Sequence, residues 1–166
     1  MKRPELSAEH IFAALNHHRV DYVVIGAFAA IAQGVPLEAT HDVDLTPRRD
    51  SENMRRLSTV LDELEARIRV DDLEDGLPFD HDAASLAAMA MLNLTCTAGD
   101  FDLVFSPAAS PGGFDELVES SVQIRVGEEV VAVASLEDIL RSKEEVGREK
   151  DVRAAVAIRT HMRGQQ

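Results

Sequence analysis

Two carboxylates separated by one residue can bind a metal when a β-strand carries them, and this chain contains three such pairs: Asp42/Asp44, Asp80/Asp82 and Asp100/Asp102. Alternate residues of a strand point to the same face, so both carboxylates project into one space. A divalent cation relieves their mutual repulsion, and hard oxygen ligands favour Mg²⁺ or Mn²⁺. A third acid on a neighbouring strand would complete a two-metal site.

The surroundings of Asp42 and Asp44 distinguish this pair from the others. In a chain with 15 Asp among 166 residues, roughly one Asp-x-Asp pair arises by chance, and a solvated polar face explains any single pair. The segment Thr40–Thr46 predicts a strand in which Thr40 lies on the same face as the two carboxylates. The opposite face carries Val43 and Leu45, which suit a buried core.

Asp102 is the candidate third acid. It lies inside an apolar predicted strand, Phe101–Phe105, whereas Asp100 falls in a predicted turn over residues 98–100. Burying an unpaired carboxylate is costly, so Asp102 requires a partner, which a metal, a helix N-terminus or an arginine would supply. The pair Asp80/Asp82 falls in an acidic loop predicted over residues 71–82, where solvation or a helix cap accounts for it.

Gly26 separates a predicted buried strand, Asp21–Ile25, from a short predicted helix, Ala27–Gln33. A helix N-terminus presents free N–H groups and partial positive charge to a phosphate, and glycine lets the backbone approach closely. A simple strand-to-helix turn explains the same pattern.

Helices and strands are interspersed along the rest of the chain. Apolar spacing and capping residues predict helices at about 7–18, 51–67, 83–88, 112–119, 135–146 and 150–162. The predicted helix ends are the caps Ser7, Asp50 or Ser51, Asp82 and Ser135, and Gly147 after the 135–146 helix. Runs of β-branched residues predict further strands at 67–70, 91–97, 122–126 and 130–134. This mixture indicates an α/β or α+β fold in a single domain, residues 1–166, with a core at about 20–134 and a C-terminal helical pair at about 135–163.

Composition excludes several classes of protein. The single cysteine, Cys96, forms no intramolecular disulfide and no cysteine-based zinc site, which suits a reducing cytosol. The charged N-terminal residues are unlike a secretory signal, and the longest nearly apolar stretch, 83–94, is too short to span a membrane. We therefore expect a cytoplasmic protein with no membrane partner.

The net charge of −13 disfavours broad, nonspecific binding to nucleic acid. Residues 1–136 hold 10 Lys and Arg against 24 Asp and Glu, whereas residues 137–166 hold 7 against 6. Contacts with phosphates are therefore expected to use the C-terminal thirty residues.

Taken in order, these motifs resemble the nucleotidyltransferase superfamily with a polymerase-β-like palm. That pattern runs strand, Gly, small residue and short helix, then Thr-x-Asp-x-Asp, then a third Asp on a later strand, matched here by Gly26-Ala27, Thr40 to Asp44, and Asp102. More narrowly, the chain is similar to small prokaryotic proteins related to AbiEii-type toxins. The segments that carry this likeness are Ser-Leu-Glu-Asp-Ile-Leu at 135–140, Lys143, and Gly-Arg-Glu-Lys-Asp at 147–151. The resemblance covers about residues 20–157.

The resemblance implies helices packed on a mixed β-sheet and transfer of a nucleotide from an NTP to a hydroxyl, with release of pyrophosphate. By position, Asp42 and Asp44 would bind two Mg²⁺ (or Mn²⁺) ions and the triphosphate. Asp102 would bind the catalytic metal and help to deprotonate the acceptor hydroxyl.

The same resemblance assigns the nucleotide-binding residues. Gly26, Ala27 and Thr40 would surround the phosphates. Lys143 and Arg148 would offset their charge, and Asp151 would orient one of these two cations, although a favourable interaction with helix ends explains all three residues equally. In related toxins the acceptor is a tRNA or a protein hydroxyl, and a cognate antitoxin is the expected partner.

Departures from the family pattern keep another function open. Ala27 offers no side-chain hydroxyl, Glu38 stands where a basic residue often precedes the Thr, and the larger C-terminal domain of full-length toxins is not expected here. A partner-binding or regulatory module with weak or lost catalysis is the alternative, as is a different metal-dependent phosphotransferase or hydrolase.

Overall fold

The structure is a computed structural model that describes residues 4–165 and, within them, contains seven helices and eight strands. Residues 1–3 lie outside the described residues, so the expectation for the charged N-terminus stays a prediction. The helices are α1 Ala8–His17, α2 Gly26–Ala32, α3 Ser51–Glu63, α4 Ala83–Ala87, α5 Phe114–Val118, α6 Leu136–Val146 and α7 Glu149–Gly164. The strands are β1 Tyr22–Ile25, β2 Asp42–Pro47, β3 Arg67–Val70, β4 Leu73–Leu77, β5 Met91–Cys96, β6 Gly99–Val104, β7 Val122–Val126 and β8 Glu129–Val133.

All the strands of the described chain join one mixed sheet in the order β4-β3-β5-β6-β2-β1-β8-β7. Two neighbouring pairs, β2/β6 and β1/β8, run parallel, and the other pairs are antiparallel. This arrangement confirms the expected α/β class with helices packed on a mixed sheet. Strands β2 and β6 lie side by side although much of the chain separates them, and these are the strands that carry the candidate acids.

The core lies on one face of β2 and β6. Val43, Leu45 and Leu103 are fully buried, and Phe101 is nearly so. Apolar side chains of α1 and α3 join the same core: Ile11, Phe12, Leu15, Met54, Leu57 and Leu61. Each such side chain contributes about 1.5–3 kcal/mol of burial free energy, so the strands cannot slip by one residue without exposing this set. The aspartates of both strands are thereby directed to the opposite face.

Several local predictions are confirmed. The Ser135 hydroxyl accepts a hydrogen bond from the Asp138 N–H and caps α6, which ends at Gly147 in the left-handed conformation. Asp50 caps α3, and Asp82 caps α4 with a reciprocal bond from Ser85. Among residues 4–165, no helix has the length and apolar character needed to cross a bilayer.

The acidic loop predicted over residues 71–82 is partly wrong. Within it, Leu73–Leu77 forms β4, an edge strand that pairs antiparallel with β3. Most of its side chains are exposed, so its polar sequence lacks the apolar alternation that reveals a half-buried strand. The segment is a strand because it pairs with β3, and its local sequence gives no signal of that pairing.

The turn predicted over residues 98–100 joins two antiparallel strands as expected, but its position is partly wrong. Gly99 and Asp100 already belong to β6, and the chain reverses at Thr97 and Ala98. Asp100 is opposite Thr95 on one side and Asp42 on the other, so sheet pairing overrides its preference for turns.

Two boundaries shift, and one predicted cap lacks its side-chain hydrogen bond. Thr40 precedes β2, which starts at Asp42, and α3 ends at Glu63 because Glu65 adopts a positive φ of 52°. Ser7 occupies the N-cap position of α1, but its side chain makes no capping hydrogen bond.

Candidate active site

The three predicted acids converge on the face of the sheet opposite the core. Parallel pairing of β2 with β6 places Asp44 opposite Asp102 and Asp42 opposite Asp100. One carboxylate oxygen from each of Asp42, Asp44 and Asp102 lies within 4.8 Å of the other two, and all three residues are half-buried. The structure therefore brings together side chains that the sequence could only suggest were close.

The surroundings of Asp44 disfavour its ionised form. Burial, followed by the negative charges of Asp42 and Asp102, raises the pKa of Asp44 from its ordinary 3.8 to about 7. Hydrogen bonding with Asp102 adds to this rise in the pKa of Asp44. The positive charge of Lys143 acts in the opposite direction and lowers the pKa of Asp44.

Asp102 has a partner that the sequence did not identify. The Arg69 guanidinium, from β3, donates to Asp102 Oδ1 at 2.6 Å and lies 3.9 Å from Asp100 Oδ2. Burial raises the pKa of Asp102, while the charge of Arg69 and its hydrogen bond lower it, and burial dominates. Of the three partners expected for a buried Asp102, the arginine is the one seen in the structure.

Gly26 lies against the Asp44 carboxylate. It adopts a φ of +73°, and a Cβ built on it would overlap Asp44 Oδ2 and lie 3.3 Å from Cγ. A side chain at this position would therefore displace the carboxylate as well as strain the backbone. Gly26 is also the first residue of α2, with Ala27 following in the first turn, so the backbone turn and the acidic cluster are adjacent.

Thr40 holds Asp42 from the loop before β2. Its hydroxyl lies 3.1 Å from Asp42 Oδ1 and 3.1 Å from the Asp42 carbonyl, and the Asp42 N–H approaches it at 3.4 Å. The threonine of the Thr-x-Asp-x-Asp motif thus orients the first aspartate, although it lies outside the strand.

The C-terminal helices bring a second group of predicted residues together around Asp151, which is 1% exposed. Arg148 donates to its Oδ2 at 2.7 Å through Nε, and Lys143 Nζ lies 3.4 Å from Oδ1. Burial alone would raise the pKa of Asp151, but the Arg148 hydrogen bond and the Lys143 charge hold it below its usual range. Lys143 therefore links this group to the acidic cluster, because its charge also acts on Asp44.

Comparisons with known proteins show which solved structures share this fold. No family model and no curated protein matches the chain. Among solved structures, the lincosamide antibiotic adenylyltransferase LnuA with lincomycin bound matches 93% of this chain and 98% of its own, with a TM-score of 0.61 and 13% identity. The antibiotic-resistance factor ANT(2'')-Ia matches 93% of this chain and 81% of its own, with a TM-score of 0.59 and 17% identity. A putative nucleotidyltransferase from Thermotoga maritima covers 94% and 90%, with a TM-score of 0.54 and 19% identity.

The chain has the nucleotidyltransferase fold. These similarities are in the backbone fold alone, and the substrates named for those proteins are not thereby assigned to this chain.

Within the nucleotidyltransferase fold, the donor set fits a divalent metal. Asp42, Asp44 and Asp102 supply hard oxygen ligands from a cluster small enough to surround one cation. Burial, followed by the charges of Asp42 and Asp102, raises the pKa of Asp44, so the negative charges of the three aspartates repel one another in this half-buried cluster. A cation of charge +2 would offset that repulsion.

Two residues of the site were missed by the sequence analysis. Asp100 was assigned to a turn, yet it is 9% exposed and lies beside Arg69 on the face of the acidic cluster. Arg69 lies far from the motifs, and its one signal was a charged residue alternating with apolar ones in the predicted strand Arg67–Val70. Such alternation is typical of any half-buried strand.

Proposed function

We propose that this protein is a Mg²⁺-dependent nucleotidyltransferase that transfers a nucleotide from an NTP to a hydroxyl acceptor. The observation that carries the proposal is the convergence of Asp42, Asp44 and Asp102 within 4.8 Å on neighbouring strands. Support comes from the close packing of Gly26 on Asp44, because this places the N-terminus of α2 beside the carboxylates.

The proposed reaction is an in-line displacement at the α-phosphorus. The acceptor oxygen forms a bond to phosphorus, the bond to the β-phosphate oxygen breaks, and pyrophosphate leaves. The acceptor proton passes to the Asp102 carboxylate, whose position Arg69 and Asp44 maintain. Mg²⁺, when bound by the three aspartates, would offset the charge that develops on the phosphoryl oxygens.

Nucleotide binding is assigned to residues around this cluster. The backbone N–H groups at Gly26 and Ala27 would face the phosphates, and Thr40 would keep Asp42 oriented. Lys143 and Arg148, held by Asp151, would supply positive charge. Removing preorganised charge of this kind from a transition state costs on the order of a hundredfold in rate.

The proposal also names classes of hydroxyl acceptor. An RNA or tRNA hydroxyl, or a protein hydroxyl, follows from the AbiEii-like C-terminal motif, together with a toxin role and a cognate antitoxin. That motif is supported by its compact packing, since Lys143, Arg148 and Asp151 form one ion-pair group. A hydroxylated small molecule is a further acceptor class, because LnuA is named as a lincosamide antibiotic adenylyltransferase.

Transfer is tested by incubating the full chain with each α-³²P-labelled NTP, Mg²⁺ and separate pools of tRNA, total RNA, protein and antibiotics. A labelled acceptor with release of pyrophosphate is the expected result. Asp42→Asn, Asp44→Asn and Asp102→Asn should each lower labelling by about a hundredfold or more. Asp80→Asn is the matched control, since Asp80 belongs to another Asp-x-Asp pair outside the cluster. Labelling that survives Asp42→Asn would refute the site, and free nucleotide without an adduct would indicate a hydrolase.

A second candidate function is a partner-binding module that keeps the fold with little catalysis. The observation that favours it is Ala27, which gives the first turn of α2 no hydroxyl for phosphate, together with the charge of −13. It predicts a stable complex with a basic protein and no stabilisation by any NTP. Gel filtration of the chain co-expressed with the products of its neighbouring genes checks this, and elution alone counts against it.

A further inference from the structure

Arg69 connects three strands on the site face of the sheet. From β3 it reaches across β5, where its Nη1 donates to the Leu94 carbonyl at 3.0 Å, and contacts β6 through Asp102 at 2.6 Å. The same guanidinium lies 3.9 Å from Asp100. Its side chain is 18% exposed, and those of Asp100 and Asp102 are 13% and 14% exposed, so solvent screens these charges only weakly.

Repulsion among the carboxylates of β2 and β6 makes a nearby positive charge stabilising even when no metal is bound. Strand pairing sets Asp42 beside Asp100 and Asp44 beside Asp102, which gathers four carboxylates on one small area. The guanidinium contacts the two on β6 directly. A divalent cation bound by Asp102 would therefore share a carboxylate with Arg69 and be repelled by its positive charge.

We propose that Arg69 is the resident counter-ion of the site, which orients Asp102 in the metal-free protein and lowers the affinity of the carboxylates for divalent cations. The inference rests on the proposed metal-dependent function, and it assigns to Arg69 a positioning role without contact with substrate. Arg69 stabilises the empty cluster, and the metal competes with it electrostatically for Asp102.

Removing Arg69 has two opposing effects on metal binding. Loss of orientation weakens binding, but the backbone of Asp102 is also held by the pairing of β6 on both sides. Loss of the positive charge strengthens binding, because a unit charge within a few ångströms of a divalent cation acts strongly in a half-buried site. The second effect is larger, and we expect affinity to rise about tenfold or more when Arg69 is neutralised.

The test measures Mn²⁺ binding without nucleotide, from the electron paramagnetic resonance signal of free Mn²⁺ in titrations of the full chain. Arg69→Gln is expected to bind Mn²⁺ about tenfold more tightly than the wild type. Arg69→Lys keeps a positive charge near Asp102, so its affinity for Mn²⁺ should stay within about threefold of the wild type. Arg67→Gln is the matched control and should stay within about twofold, because Arg67 lies on the same strand but donates to the Gly76 carbonyl.

Thermal unfolding adds a second readout. Without metal, Arg69→Gln should melt at a lower temperature than the wild type, because the carboxylates lose their counter-ion, and Mn²⁺ should raise its melting temperature more than that of the wild type. If Arg69→Gln does not fold, Arg69→Met, which also removes the positive charge, takes its place, and the absence of tightening there overturns the inference.

The outcomes separate this inference from the proposed function. Wild-type binding of Mn²⁺ with equal or weaker binding by Arg69→Gln overturns the role of Arg69 alone. Equal tightening in Arg67→Gln also overturns it, because the effect would then reflect net charge. Failure of every variant to bind Mn²⁺ overturns the metal site itself, and the role of Arg69 with it.

Discussion

Asp44 of β2 and Asp102 of β6 are direct partners across a parallel strand pair, and a carboxylate oxygen of each lies within 4.8 Å of one from the other. Burial, followed by the charges of Asp42 and Asp102, raises the pKa of Asp44, so Asp44 retains its proton to a higher pH than an ordinary aspartate. A divalent metal would replace that proton. The same arrangement therefore makes ionisation of Asp44 destabilising in the metal-free protein and suits the proposed metal chemistry.

The pKa of Asp44 predicts how stability depends on pH without metal. Its pKa is raised from 3.8 to about 7 on folding, so between these values the folded state holds a proton that the unfolded state has lost. This group therefore makes the free energy of unfolding fall as pH rises from about 4 to about 7. Asp44→Asn removes that loss. The free energy of unfolding of Asp44→Asn minus that of the wild type should therefore be about 1–3 kcal/mol larger at pH 8 than at pH 4.

Urea unfolding in the presence of a chelator at both pH values measures this difference. Asp80→Asn serves as the control, since Asp80 lies outside the cluster. A difference between Asp44→Asn and the wild type that is the same at pH 4 and pH 8 would show that Asp44 titrates normally.

Gly26→Ala is predicted to damage both the backbone and the acidic cluster. The left-handed conformation alone costs about 1 kcal/mol for alanine, and the new Cβ would also displace the Asp44 carboxylate. Gly147→Ala is the matched control, because Gly147 has a similar φ of +67° but its Cβ would meet its nearest neighbour at an ordinary 3.6 Å. Chemical denaturation should show a larger loss for Gly26→Ala, and Mn²⁺ binding should weaken in that variant only. Equal losses and unchanged Mn²⁺ binding in both would contradict the contact with Asp44.

Asp151→Asn is predicted to release the cations of the C-terminal helices. Asp151 is 1% exposed, accepts a hydrogen bond from Arg148 and forms an ion pair with Lys143, so loss of its charge should cost about 2–3 kcal/mol of stability. Glu149→Gln, in the same helical turn, removes only an exposed ion pair with Arg153 and should cost less than about 0.5 kcal/mol. Differential scanning fluorimetry measures the stability of the two variants, and titration with a fluorescent NTP analogue measures their nucleotide affinity. A loss confined to stability, with NTP affinity unchanged, would separate Asp151 from nucleotide binding.

The local features of the site were predictable because short-range physics sets them. Alternation along β2 assigned Val43 and Leu45 to the core and the aspartates to the other face, as observed. Capping by Ser135 and termination at Gly147 followed from residue preferences within one helical turn. These signals need no knowledge of the partners across the sheet.

Features set by strand pairing were not predictable in this way. Asp100 has the preferences of a turn residue, yet pairing with β2 and β5 makes it part of the sheet. Arg69 reaches its carboxylate across an intervening strand, and no spacing along the chain encodes that distance. Both errors arise from contacts between segments far apart in the sequence, where tertiary context overrides local propensity.

The central claim is that Asp42, Asp44 and Asp102 bind a metal and an NTP together. The most direct measurement is a thermal-shift titration of the wild type and Asp42→Asn with Mg²⁺ or Mn²⁺ and each NTP. A ligand at about a hundred times its dissociation constant adds about 2.7 kcal/mol, which raises the melting temperature by roughly 5–10 °C in a chain of this size. We predict a metal-dependent NTP shift in the wild type that is lost in Asp42→Asn. The absence of a shift with every nucleotide, or an equal shift in both proteins, would contradict the account.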